Sequence, residues 1–242
     1  MFRALLSSQY QNINRLINPK VGMFRVNHIP TSWISSADTS RNVYDGSRAS
    51  NIISSQVGSG IIHGCPTLLD AGDINHMSYP GKNNIEELLM MLHQAMHYSS
   101  QIGFVVSRPA KKITIEAIQK SITTPFKQNQ YKKPNLIKRI QFIACWAHAY
   151  TPDWDEWSEV LCQSAEIAKQ YGKPIYADLT FTYPVKTQRK PMSVNRASQM
   201  IRETHNCGFD GIIVRGYREN ELDDKFRGAV IHTLNQINER SL

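Results

Sequence analysis

The 242-residue chain lacks any long apolar run. Its most hydrophobic stretches, such as Phe104-Val105-Val106 and Ile212-Ile213-Val214, are far short of the ~20 residues that span a bilayer, which excludes a membrane helix of ordinary length. The amino-terminal MFRALLSSQYQNINRL holds one Arg and too short an apolar core for a Sec signal peptide. No Gly-x-Gly-x-x-Gly or Walker loop occurs, so neither a Rossmann nor a nucleoside-triphosphate site is expected. His-Glu-x-x-His is absent too. His93 and His97, four apart on one helix, have a spacing that could bind metal but more often serves surface or core packing, and no metal is assigned. The four cysteines, Cys65, Cys145, Cys162 and Cys207, include no pair at two-residue spacing, so a reducing, cytoplasmic folding compartment is expected. There is no internal repeat and no Gly/Ser-rich linker, and residues 1–242 are taken as a single catalytic domain.

The composition is that of a folded protein, with 41% hydrophobic and 20% charged residues. Lys and Arg number 28 against 20 Asp and Glu, and the resulting charge of +8 favours an anionic partner. The densest basic stretch, Lys111 to Arg139, reads as a solvated loop or as an electrostatic docking face. Short extended segments are predicted at 22–28 and 59–63, and a helix that starts at Asn84, with Asn84 and Glu87 as its capping box, and ends near Ser99. Strands follow at 103–107 and 140–146. A helix capped at Thr151, Asp153 or Asp155 stops at Gly172. In 174–183 Ile175, Ala177, Leu179 and Phe181 alternate with Tyr176, Asp178, Thr180 and Thr182, the pattern of a half-exposed strand. Ser193 caps a further helix that Gly208 ends, FDGIIVRG is a buried strand, and 229–237 is a strand or a helix.

The segment from His148 to Leu222 resembles the carboxyl-terminal part of bacterial mono-ADP-ribosyltransferases. The resemblance is carried by Tyr150-Thr151, the helix from Asp155, the strand Tyr176 to Tyr183, Gly208-Phe209-Asp210-Gly211 and Glu219-Asn220-Glu221, with Phe24-Arg25 and Pro30 as a weaker amino-terminal match. It implies an α+β fold with a split mixed β-sheet and flanking helices. It also implies NAD as substrate, and transfer of ADP-ribose to an acceptor protein of a host, at arginine, by an effector or toxin. Nucleic acid is the less favoured acceptor. In that chemistry Glu221 stabilises an oxocarbenium-like sugar cation and Glu219 orients the acceptor. Arg25 grips the pyrophosphate, and Thr151 or Ser107 steadies the carboxylate, Thr151 being preferred for its shorter spacing to Glu219. The protein would be cytoplasmic when folded and delivered without a Sec signal. Two alternatives stand beside this one. His63-Gly64 and Ala144-Cys145 resemble the strand-end dyad of caspase-like cysteine peptidases. The alternation of helix and strand from residue 84 onward also suits an α/β doubly wound or barrel-like domain that binds a small ligand or acts as a hydrolase.

Overall fold

The computed structural model describes residues 1–8, 13–29, 46–70, 102–106, 140–147, 153–183, 190–214 and 224–240. Along the chain the elements are β1 (Arg3–Ser7), a helical turn α1 (Ile13–Leu16), a 3-10 turn (Pro19–Val21), β2 (Met23–Ile29), α2 (Gly46–Ile62), β3 (Thr67–Asp70), β4 (Ile102–Val106) and β5 (Phe142–Trp146). They continue with α3 (Trp154–Lys169), β6 (Ile175–Leu179), β7 (Thr182–Tyr183), β8 (Lys190–Pro191), α4 (Val194–Asn206), β9 (Gly211–Val214) and α5 (Asp224–Glu239).

Strands β1 to β6 pair in chain order, β9 pairs with β6 on one side and β1 on the other, and every pairing is parallel. The result is a closed seven-stranded barrel, with β7 and β8 as a separate antiparallel ribbon. This overturns the split mixed sheet expected from the resemblance. The architecture is the barrel form of the α/β alternation carried as an alternative.

A closed parallel barrel buries both sides of each strand, so its strands have no solvent side. One side packs into the lumen, where Leu5, Val26, Leu68, Phe142, Ala144, Tyr176 and Ile213 form one apolar cluster. The other packs outward among the helices, with Leu6, Met23, Ile29, Ile143, Ala177 and Val214 in the larger core. Strand β6 is accordingly buried along its whole length and not half-exposed; its more polar side faces the lumen.

Two glycines set how closely the wall approaches itself. A Cβ at Gly103 would overlap the Phe142 ring, and one at Gly211 would overlap the Arg3 carbonyl and lie 2.8 Å from the Tyr176 ring. The Gly-Phe-Asp-Gly motif is therefore a barrel-closing device. Gly208 takes φ +82° at the end of α4 and Phe209 is buried. Asp210 donates its N–H to the Ile175 carbonyl (2.9 Å), accepts from the Ile175 N–H with its carboxylate (2.8 Å) and accepts from the Arg3 N–H with its carbonyl (3.2 Å). One residue thus joins β6, β9 and β1.

The helices follow local rules. Asp153 caps α3 by accepting from the N–H groups of Asp155 (2.9 Å) and Glu156 (3.2 Å), a contact of about 1 kcal/mol. Ser193 caps α4 through the Arg196 N–H (3.2 Å). The residues 59–63 predicted as a strand are the end of α2 and the turn after it. Ile61 and Ile62, 58% and 83% exposed, face out, so the local apolar pair misled the reading. Residues 229–237 are helical. The helix predicted from Asn84 to near Ser99 and the basic stretch 111–139 lie outside the described residues.

Cys162 on α3 and Cys207 at the carboxyl-terminal cap of α4 form a disulfide with Cα atoms 4.6 Å apart. The sequence spacing hid it because the partners are 45 residues apart. A loop of that length gives a chain-entropy stabilisation of about 4 kcal/mol. Urea melts of wild type and of a Cys162→Ala/Cys207→Ala variant are expected to differ by a stability of that order, and the difference should disappear when reductant is present.

Candidate functional site

In a parallel barrel all strands point one way, so their carboxyl-terminal ends meet at one mouth and their amino-terminal ends at the other. The first mouth is where loops can build chemistry on a rigid wall. The lumen changes character along this axis. Its lower and middle levels are the apolar cluster around Leu5, Phe142 and Tyr176. Towards the carboxyl-terminal mouth the same sides of the strands become polar. Ser7 is the last residue of β1, His28 the last but one of β2 and Asp178 the last but one of β6, each at most 1% exposed.

The Ser7 Oγ and the His28 Nδ1 are 3.1 Å apart, which ties the imidazole to the end of β1, and the His28 backbone N–H donates to the Ser8 Oγ at 3.0 Å. Asp178 alternates with Tyr176 on the lumenal side of β6, and its carbonyl accepts from the Ala147 N–H at 3.0 Å. A carboxylate withdrawn from solvent inside a barrel mouth is a group suited to acid–base work or to stabilising a cation. Asp70 closes β3 at the same end. On the rim, Trp154 opens α3, and the Arg196 guanidinium lies 3.9 Å from the centre of its ring.

The opposite mouth has a cavity of about 350 Å³. Arg25 and His63, two residues singled out in the sequence for different reactions, both line it. Neither reaches the carboxyl-terminal mouth.

The dyad of the peptidase reading is not assembled. Cys145 lies on the outer side of β5, buried against α3, and its thiol donates to the Ser164 carbonyl at 3.9 Å. Burial first, and then the Asp178 carboxylate, push its pKa up to about 12. His63 lines the cavity at the amino-terminal mouth, away from that wall. Against an ordinary thiol of pKa 9.0, Cys145 carries about 1000-fold less thiolate near neutral pH. Alkylation by iodoacetamide, followed by mass spectrometry, should therefore leave Cys145 unmodified in the native protein and modify it fully in urea.

Glu219, Glu221, Tyr150, Thr151 and Ser107 lie outside the described residues. Thr151 is not the cap of α3, since Asp153 is. Sequence reasoning missed Ser7, His28 and Asp178. The available signal was the alternation in β2 and β6, which put His28 and Asp178 on the same sides as Val26 and Tyr176. Among the described residues, one group of three potential metal ligands comes together, Cys162, Glu203 and Cys207, and both of its sulfurs are in the disulfide. No helix among the described residues is long and apolar enough to cross a membrane.

By sequence, the chain matches no protein-family model and no curated protein. By structure it resembles bee venom hyaluronidase, with a TM-score of 0.59 at 10% identity, covering 98% of each chain. It also resembles Thermotoga maritima Cel5A in complex with cellobiose (TM-score 0.52, 10% identity, 96% of this chain and 97% of that one). A third is β-methylaspartase from Clostridium tetanomorphum (TM-score 0.53, 9% identity, 98% of this chain and 58% of that one). None of these is an ADP-ribosyltransferase, and the barrel has no split sheet in which the proposed NAD cleft could form. The readings as a transferase acting on NAD and an acceptor protein, and as a caspase-like peptidase, are both set aside. At these identities the likeness establishes one thing, that the chain folds as a parallel α/β barrel of the kind found in these enzymes.

Proposed function

We propose that the protein hydrolyses glycosidic bonds at the carboxyl-terminal mouth of its barrel. The observation that carries this reading is Asp178, a fully buried carboxylate on the lumenal side of β6, one residue from the strand's end. Support comes from barrels of similar fold whose names give saccharide substrates or ligands, hyaluronidase and Cel5A with cellobiose among them.

Glycoside cleavage uses two carboxyl groups, one to protonate the leaving oxygen and one to stabilise or attack the sugar cation. Asp178 supplies one of them. Glu219 and Glu221, which follow β9 in the sequence, are the candidates for the other. The Ser7–His28 pair offers a fixed imidazole for hydrogen bonding to a sugar hydroxyl. The charge of +8 favours an acidic saccharide over a neutral one.

The test is release of reducing ends from hyaluronan, β-1,4-galactan and β-1,4-glucan. Release from hyaluronan is expected to be fastest and to slow as salt is added, because screening weakens the attraction of a basic protein for an acidic chain. Replacing both Glu219 and Glu221 by Gln should lower that release by at least ~100-fold. No release from any of the three, or an unsaturated product marking elimination, would reject the reading.

A further inference from the structure

The cavity at the amino-terminal mouth has no part in the proposed hydrolysis, yet it has the features of a binding site. Its volume of about 350 Å³ lies at the small end of small-molecule pockets and suits a single ring with one charged group. Its inner surface is apolar and aromatic, from Leu5, Phe24 and Phe142. Among the described residues its lining carries two guanidinium groups and no carboxylate, beside the polar side chains of His63, Gln141 and Tyr176. Arg3, whose guanidinium lies 5.7 Å from the Phe24 ring centre, and Arg25 both line it.

The Arg25 Nε is buried and makes no hydrogen bond. A guanidinium donor withdrawn from water without a partner is costly, and an anion supplies the missing acceptor. The Tyr176 hydroxyl, hydrogen-bonded to Arg3, adds a polar group on the same lining; burial raises its pKa, so it stays protonated and able to donate. Among the described residues the carboxylate that acts on this hydroxyl is that of Asp210, which is tied to the Ile175 N–H at 2.8 Å and so is already partnered.

We propose that this cavity binds a small organic anion, its phosphate or carboxylate held between Arg3 and Arg25 and its flat apolar body lying against Phe24 and Phe142. The site is separate from the carboxyl-terminal mouth and its existence does not depend on the hydrolase reading. A guanidinium fork matches the oxygens of either anion, whereas an ammonium does not.

Phenyl phosphate and neutral benzyl alcohol are the probes, titrated calorimetrically into the full chain. Phenyl phosphate is expected to bind with one-to-one stoichiometry and at least 10-fold more tightly than benzyl alcohol. Benzoate in place of phenyl phosphate should also bind above the alcohol. Arg3→Gln alters an exposed residue and is expected to fold; Arg25→Lys keeps the charge and loses the fork. Each should weaken phenyl phosphate at least 10-fold, while Asp178→Asn should leave its binding unchanged. Equal affinities for the anion and the alcohol would overturn the proposal. Unchanged anion binding in both arginine variants, or binding lost in Asp178→Asn alone, would overturn it too, the last by placing the ligand at the other mouth.

Discussion

Asp178→Asn is expected to lower glycoside hydrolysis by at least ~1000-fold, equivalent to about 4 kcal/mol of transition-state stabilisation, with the protein still folded. The substitution keeps the shape of the side chain and removes its charge. Asp178 is fully buried, so no water stands ready to replace the carboxylate next to a developing sugar cation. Initial rates on the polysaccharide that responds best, measured for both proteins at equal concentration, decide the matter. Retention of more than a tenth of the wild-type rate would remove Asp178 from the reaction. Far-ultraviolet circular dichroism and a melting curve confirm that any loss is chemical.

Gly103→Ala is expected to be strongly damaging to the barrel wall, destabilising by ~3 kcal/mol or more. The added methyl would overlap the Phe142 ring, which fills the lumen and packs edge-on against Tyr176 with ring centres 5.1 Å apart. The ring is 3% exposed and is held inside a closed cylinder, so it cannot swing away cheaply. The second site gives the check. Phe142→Leu shortens the intruded side chain, so the Gly103→Ala/Phe142→Leu pair should be more stable than the sum of the two single effects predicts. Additive destabilisation in urea melts would mean that the lumen is not packed as described.

The sequence spoke most clearly where structure depends on neighbouring residues. Asp153 and Ser193 announce the starts of α3 and α4, Gly172 and Gly208 their ends, and the apolar runs of β4, β5 and β9 can be read as buried strands. It spoke poorly of closure. β1 pairs with β9 across more than 200 residues of chain, and nothing in RALLS indicates which strand will lie beside it. The same non-locality explains β6. Alternation at Tyr176 and Asp178 normally means one face in water, and only a closed barrel turns that polar face into a dry lumen. The Gly-Phe-Asp-Gly match to a transferase motif arose because a tight helix-to-strand connection needs those residue types in either fold. Arg25 and His63 stand out in the sequence by their chemistry, but their common cavity at the amino-terminal mouth is not legible there, since it depends on where α2 and β3 join.

Hydrogen–deuterium exchange with and without a saturating non-hydrolysed oligosaccharide, using the Asp178→Asn protein to prevent turnover, locates the site most directly. Slowed exchange is expected at the carboxyl-terminal ends of β1, β2 and β6, around Ser7, His28 and residue 178, with no change around Arg3, Cys65 and Gln141. Protection confined to that second group, or absent from both, would contradict the assignment of the reaction to the carboxyl-terminal mouth.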